Sequence, residues 1–503
     1  MTRVEPGGGR GPRPLRALLT AMLCLSALAG CELAPTYRPP TLTVPTAYKE
    51  VGPWTEARPN DAVPRGSWWN AFHDQTLDDL ERQVDTGNPD LAAAVAAYDQ
   101  ARAFAAEAAS SAVPTITALN SNTYDRQSNN RPLRGSRQPD IYWANTFGAQ
   151  ANYEFDFWGR VRNQIRAGEA QAQASAADLA TARLGLQIEL ADDYVSLRGL
   201  DAQAHLLGTT VEAYQLAFDL TRTRHDGGIA SGLDEDRAAG QLSSAKAQVS
   251  EVAARRALYE HAIASLVGRP ASNFSIAPTS GREIIPIVPA GVPSTLIQRR
   301  PDIAAAERRA YAANREIGVA KAAYFPAITL DAQGGFQNTG GQSLLIAPNS
   351  FWTIGPQLAL TLLDGGLRRA QVAAARAAFE EASARYRTTV LAAFQQVEDQ
   401  LALSNHLAAE AADEADTVRA DRATTNLSFE RYREGATNYL DVVTAQTTEL
   451  QAEQSALALQ TRREQSGIDL VQALGGGWSR EDLPSPVRSA SLDIPPAEAL
   501  SRP

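Results

Sequence analysis

From Phe147 to Phe157 apolar and polar positions alternate without a break: Phe147, Ala149, Ala151, Tyr153, Phe155 and Phe157 fall on one parity, Gly148, Gln150, Asn152, Glu154 and Asp156 on the other. A period of two predicts a strand with one apolar and one polar face. Residues 353–362 repeat the pattern, with Ile354, Pro356, Leu358, Leu360 and Leu362 on the apolar parity, and residues 327–336 set Ile328, Leu330, Ala332, Gly334 and Phe336 against Ala327, Thr329, Asp331, Gln333 and Gly335. A weaker run follows Pro114. The expectation is four strands in two hairpins, with polar loops at 124–140 and 338–349. Strands of about ten residues with one apolar face fit the wall of a transmembrane barrel. A soluble sheet with one wet face fits the alternation equally well.

Between the strands the period changes to that of a helix. Residues 160–226 contain no proline, enough for about 100 Å of helix at 1.5 Å per residue. A stripe at spacings of three and four runs through Leu186, Leu190, Asp193, Leu197, Leu200, Ala204, Leu207, Val211, Tyr214 and Phe218, and calls for partner helices along that seam. Tyr386, Val390, Ala393, Val397 and Leu407 form a similar seam later in the chain. Each long helix should end at a glycine break, at Gly227–Gly228 to Gly232 or at Gly435, and return as an antiparallel partner. Asn88-Pro89-Asp90 reads as N-cap, first-turn proline and dipole-matched acid for a shorter alanine-rich helix that stops near Pro114; Pro301-Asp302 repeats the opening after Arg300.

These segments repeat at a fixed offset. Asp90 and Asp302, or Pro114 and Pro326, are 212 residues apart (302 − 90, 326 − 114); Gly159 and Gly366, Gly228 and Gly435, and Leu233-Asp234 and Leu440-Asp441 are 207 apart (366 − 159, 435 − 228, 440 − 233). Internal duplication is therefore the first constraint on architecture. It divides the chain into a leader (1–30), a proline-rich extended tether (31–66), a first repeat (67–268), a linker (269–295), a second repeat (296–478) and a loose tail (479–503).

Composition narrows the picture. Arg3, Arg10, Arg13 and Arg16 precede an uncharged stretch, 17–30, that is too short to span a bilayer, so the leader is a secretory signal expected to be removed. Leu28-Ala29-Gly30-Cys31 resembles the bacterial lipobox, in which the cysteine receives a diacylglycerol and an N-acyl chain. Glu32 after it is not the Asp that retains lipoproteins at the inner membrane, which favours the outer one. Cys24 lies in the leader and Cys31 would become a thioether, which leaves no thiol for a disulfide, metal or nucleophile. Losing four Arg and one Glu with the leader takes the net charge from −10 to −13, against nucleic-acid binding. The five histidines form no HExxH pair, and neither a GxSxG elbow nor a GxxxxGK[ST] loop occurs, so no catalytic residue, metal site or cofactor other than the lipid is expected.

Cys31 to Pro35, Trp68-Trp69, Phe72, Tyr153 to Arg160, Arg299 to Ile303, Ile317 to Ala320, Phe325-Pro326, Asp364-Gly365-Gly366, Tyr439 to Val443, Ala445-Gln446 and Leu474 to Trp478 follow one another in order over some 450 residues. On these phrases the chain resembles the outer membrane efflux protein family, the TolC-like ducts, and in particular their NodT or OprM-like lipoprotein branch. It implies a mostly α-helical protein with membrane β-structure. Four strands per chain would contribute to a trimeric twelve-stranded barrel, continuous with a periplasmic tunnel of long helical hairpins. The homotrimer would be the exit duct of a tripartite pump, in contact with outer-membrane lipid, a periplasmic adaptor and an inner-membrane transporter of RND type.

The family's constriction near the hairpin returns maps onto Leu440 and Asp441, with Leu233 and Asp234 as repeat partners and Thr444 where some relatives carry an acid. Arg224, Gly228, Arg433 and Gly435 at the tips are candidates for adaptor contact. Trp158, Gly159 and Arg160, and Asp364, Gly365 and Gly366, mark the strand-to-helix junctions, where Asp156 and Asp364 are placed to cap the emerging helix. The rival reading is a lipid-anchored periplasmic coiled-coil scaffold or adaptor without a pore.

Overall fold

A computed structural model of the chain describes residues 32–50, 67–128, 130, 139–279, 297–340 and 343–485. The lipobox, the proposed leader and most of the linker and tail lie outside them. After a short 3-10 turn at Trp68–Phe72 come α1 (Gln75–Gly87), α2 (Pro89–Ser110), β1 (Thr115–Arg126), β2 (Ile141–Glu154), α3 (Arg160–Asp226) and α4 (Gly232–Leu266). Then follow α5 (Pro301–Ala322), β3 (Ala327–Asn338), β4 (Ser350–Ala359), α6 (Leu367–Arg433) and α7 (Tyr439–Ala473). Helix, two strands and a helical hairpin thus occur twice in the same order. α3 and α6 are each 67 residues, and α4 and α7 each 35.

The four strands form one antiparallel sheet in chain order, and β2 pairs with β3 to join the two halves. Its faces follow the alternation. Phe147 faces Phe336, Ala151 faces Ala332 and Ala332 faces Ile354 on the apolar side, while Gln150 faces Gln333 and Gln333 faces Thr353 on the polar side. The polar face is cross-linked by Asn152 Nδ2 donating to Asp331 Oδ1 at 2.6 Å. β2 stops at Glu154 and β4 at Ala359, earlier than the alternation predicts, because the helix caps recruit the residues that follow. At Gly148 and Gly335 the backbones pass so closely that a Cβ on Gly335 would sit 2.2 Å from the Phe147 carbonyl oxygen.

The predicted seam is the core of the long hairpins. Leu190, Leu197 and Leu207 of α3 are fully buried, as are Val390, Ala393 and Val397 of α6, and each large aliphatic contributes roughly 1.5–3 kcal/mol by leaving water. Against α3 near Ile188 to Leu197 packs a knot of Trp68, Trp69, Phe72, Leu77, Leu80 and Val84. Asn88 accepts from Leu91 N–H at 2.9 Å as the predicted cap, whereas Arg300 makes no side-chain cap and instead donates to Asp302 and to the Ala473 carbonyl.

Residues 32–50, without helix or strand, lie along the second half. Tyr37 donates to Glu307, Tyr48 is buried with Tyr386 and Val390, and the N–H groups of Lys49 and Glu50 bind the Glu398 carboxylate. At the end of the second repeat Trp478 packs on Ala177, Ala304 and Ala305 with Leu483, and Ser479 opens a capping box over Arg480–Asp482; the rest of the tail, from 486, lies outside the described residues. Among the described residues no helix is long and apolar enough to cross a membrane.

Candidate functional site

The sequence-predicted residues gather in two places, the strand-to-helix junctions and the hairpin tips. At the first junction the chain leaves β2 and enters α3 within five residues. Gly159 takes a left-handed φ of 75°, which an L side chain rarely adopts. Asp156 accepts from the N–H groups of Val161 at 3.2 Å and Arg162 at 2.9 Å, so the cap lies three residues ahead of the N-cap position. Arg160 holds Glu154, its Nε 2.8 Å from Oε1, and Arg162 Nε returns to Asp156 at 3.1 Å. Trp158 stacks on Phe325 with ring centroids 4.7 Å apart and donates to the Pro326 carbonyl at 2.8 Å, tying this junction to the start of β3.

The second junction, seven residues between β4 and α6, reaches the same result. Gly365 and Gly366 have φ of 62° and 95°, and Asp364 accepts from the N–H groups of Gly366 at 2.9 Å and Arg368 at 3.3 Å. Arg368 Nε lies 2.6 Å from the same carboxylate, and its guanidinium lies over the Tyr324 ring. The side-chain bond from Arg368, followed by the two backbone N–H groups, holds the Asp364 carboxyl below the usual range. The capping predicted for both aspartates is what the structure contains.

At the tips, α3 and α6 end side by side. Arg224 does not project freely: its Nη1 and Nη2 donate to the carbonyls of Tyr432 and Arg433, each at 2.8 Å, and its guanidinium lies 4.8 Å from the Tyr432 ring centroid. A cation at the C-terminal end of α6 is favoured by the unsatisfied carbonyls there. Tyr432 packs against Tyr439, 5.2 Å between centroids, in a core with Ala217, Ala238 and Val442. Burial, and then Tyr432, pushes the Tyr439 hydroxyl up to about 12. These two tyrosines were not among the sequence candidates. Their signal was an aromatic on each side of a predicted turn.

Leu233 and Asp234 lie in the first turn of α4, Leu440, Asp441 and Thr444 in the first turns of α7. Both aspartates are engaged locally. Ser231 caps α4 through the Asp234 N–H and Arg237 lies 3.7 Å from the Asp234 carboxylate; Asn438 caps α7 through the Asp441 N–H, and Thr437 donates to the Asp441 carboxylate. Thr444 donates to the Leu440 carbonyl. Leu233 and Leu440 remain exposed, as does Ile229 in the turn. Arg433 pairs with Glu430 at 2.5 Å, and Gly228 and Gly435 turn the chain at φ of 68° and 78°.

Elsewhere the charged groups are structural. Arg198, Asp201, Arg256 and Glu260 form a network that holds the backbone of residues 276–279 on the first hairpin. Asp192 of α3 is pushed up to about 7 by burial and then by Asp469 and Asp193. Among the described residues no group of three His, Cys, Asp or Glu side chains is placed to hold a metal. Cys31 itself is outside the described residues. Glu32 beside it accepts from Arg166 Nη1 at 2.7 Å and from Arg315 Nη1, at the strand-side ends of α3 and α5.

Comparison with known proteins places this arrangement among relatives. Residues 81–269 and 292–476 match the family profile described as outer membrane efflux protein. The chain is similar to the toluene efflux pump outer membrane protein TtgC of Pseudomonas putida, 28% identical over 482 residues that cover 95% of this chain and 99% of that one. It is 30% identical to nodulation protein T of Rhizobium leguminosarum bv. trifolii over 447 residues, covering 86% and 91%. Its fold is similar to the solved structure of the outer-membrane channel OprN, with a TM-score of 0.83, 28% identity and coverage of 89% and 100%.

Proposed function

The chain belongs to the outer membrane efflux protein family, and from that premise we infer how its duct is closed, anchored and gated. It is an outer-membrane channel of a tripartite efflux system, a passive exit for substrates handed on by an inner-membrane pump and a periplasmic adaptor. Three copies pool their sheets into a twelve-stranded barrel, with twelve long helices forming the tunnel below. One observation carries this reading: the sheet has four strands with an apolar outer face, and among the described residues β1 and β4 have unpaired edges. In lipid such edges leave backbone N–H and C=O groups unsatisfied, so the wall must close on itself. Two copies give eight strands, too narrow for a water-filled lumen, and three give twelve.

Cys31 carries the lipid, and the grip of Arg166 and Arg315 on Glu32 sets that anchor beside the barrel base. The two halves descend from one duplicated unit, a reading supported by the matched helix lengths. The adaptor meets Gly228, Ile229, Arg433 and Gly435 at the turns, while Arg224 is committed to the join between hairpins. Asp234 and Asp441, repeated by three-fold symmetry with Leu233, Leu440 and Thr444 beside them, ring the periplasmic entrance and favour cations there. The pump is of RND type.

Purified protein in mild detergent is tested by native mass spectrometry and planar-bilayer conductance. A trimer that conducts bears this out; a folded trimer that stays silent even with its tips loosened by substitution favours a scaffold, and a lipid-free monomer removes the barrel. Labelled palmitate incorporated by the natural chain and absent from Cys31→Ser tests the anchor.

A further inference from the structure

We propose that Asp331 sets the charge selectivity of the membrane-spanning part of the duct, drawing cations and holding back anions within the barrel itself. The inference rests on the assembly reading above, in which the polar face of the sheet lines the lumen, and adds the residue that gives that lumen its sign.

The four strands carry four charged residues: Asp125, Arg126, Glu154 and Asp331. The register sorts them. Arg126 shares the parity of Ile116 and Tyr124, on the apolar face. Glu154 is on the polar parity, but Arg160 offsets its charge, with Nε 2.8 Å from Oε1 and Nη2 2.5 Å from Oε2. Asp125 is also on the polar parity, at the end of β1, where the following loop brings Arg131, Arg134 and Arg137 in sequence. Asp331 stands inside the sheet, roughly 14 Å along β3 from Ala327 at about 3.4 Å per residue.

Its neighbours hold it without cancelling it. Asn152 Nδ2 donates to Oδ1 at 2.6 Å from β2, and Thr329 Oγ1 donates to Oδ2 at 3.0 Å along β3. Both donors are neutral, so the carboxylate is oriented while its charge stays in place, and among the described residues it has no ion-pair partner. On the β4 side it faces Gly355, where a Cβ would meet nothing within 4 Å, so that flank is open. Gln150, Gln333 and Thr353 form the next row of the same face and bring no charge. Nor does the acid repeat a feature of the first half: the matching position, 331 − 212, is Leu119.

Three copies place three such carboxylates around one water-filled bore. Like charges inside a low-dielectric wall concentrate a potential that attracts counter-ions and repels co-ions. Screening at physiological salt acts over about 8 Å, so the effect is felt near the wall and grows as salt is diluted. Asp331 acts independently of Asp234 and Asp441, which lie at the far ends of the 67-residue helices, about 100 Å away at 1.5 Å per residue.

Reversal potentials in planar bilayers under a KCl gradient test the assignment on the full-length chain, with native mass spectrometry to establish the trimer. Arg224→Gln serves as the background, so that the tips do not limit the current. There Asp331→Asn is expected to lower the potassium-to-chloride permeability ratio at least twofold, and more in dilute than in concentrated salt; Asp331→Lys should lower it further. The drop should persist when Asp441→Asn is also present. A ratio that neither substitution at 331 changes in a conducting trimer, or a drop that disappears once Asp441 is replaced, overturns the role of Asp331 and leaves the duct standing. A folded trimer that never conducts, or a monomeric native mass, overturns the assembly reading together with this one.

Discussion

Arg224 lays its guanidinium over the ring of Tyr432 and donates to the carbonyl of the same residue at 2.8 Å, across 208 residues of chain. That contact ties the far end of the first hairpin to the far end of the second. Together with Tyr214, whose hydroxyl donates to the Gln446 carbonyl at 3.2 Å, it is a polar link that a separation of the tips must break.

Arg224→Gln is therefore expected to raise single-channel conductance at least twofold in planar bilayers. It removes a charged donor from the α6 carbonyls, worth about 1 kcal/mol, and leaves the junctions untouched. A variant with unchanged conductance and unchanged tip mobility by spin labelling places the gate elsewhere.

Asp156→Ala deletes the cap of α3 while leaving Gly159 to turn the chain. It should cost about 1–2 kcal/mol and lower the helical melting temperature by circular dichroism, with Asp156→Asn recovering most of the loss. An unchanged melt would mean that the Trp158–Phe325 stack alone sets the helix start.

Acidification tests the second cap. The Asp364 carboxyl is held below its ordinary value in the folded chain, so its contribution is present above the unfolded value near pH 4 and is lost as pH falls through the lower, folded one. Asp364→Asn should accordingly destabilise the protein at pH 7, and the difference from the natural chain should shrink steadily as pH falls below about 4, which thermal melts along that series resolve.

Glu81 gives the opposite sign. It is fully buried, neither carboxylate oxygen has a partner among the described residues, and burial, then Asp85 and Asp78, push it up to about 9. The unfolded group ionises near pH 4.5, so the cost of keeping Glu81 buried grows as pH rises from there to about 9. Glu81→Met should stabilise the fold by roughly 2 kcal/mol at pH 8 and far less at pH 5. Equal gains at both pH values would rule out the titration.

Gly318 faces the N-terminal segment at contact distance: a Cβ there would lie 2.8 Å from Ala34 Cβ and 3.0 Å from the Ala34 nitrogen. Gly318→Ala is expected to lift residues 32–50 from their groove and to speed proteolysis within them severalfold, with the barrel and helices intact. Protection equal to that of the natural chain would show that the helices spread instead.

The strands and long helices were legible because one side of each is dry. Phe147 to Tyr153 and Leu190 to Leu207 carry periods of 2 and about 3.6 that only one backbone geometry satisfies. Strand ends were not legible: Phe155 and Phe157 keep the alternation, yet Asp156 turns to cap α3 and ends the ladder. The junction glycines and their aspartates were found because a required torsion and a cap leave residue-specific marks. The partners of Arg224 are not legible, since nothing local reveals that Tyr432 and Arg433, two hundred residues on, present the carbonyls it meets. The contact between Tyr432 and Tyr439 is marked in the sequence only by an aromatic on each side of the turn.

The paired lengths of the helices have a mechanical corollary. α3 and α6 run for 67 residues each, and their return helices for 35. In a closed ring every turn-back then finishes at one height, and the lower rim is level enough to be met flush by a ring-shaped counterpart. One extra helical turn in α3 alone, about 5.4 Å, would set alternate tips proud of the rest and spoil the seal. Length changes in this chain are tolerable only when all four long helices acquire them together.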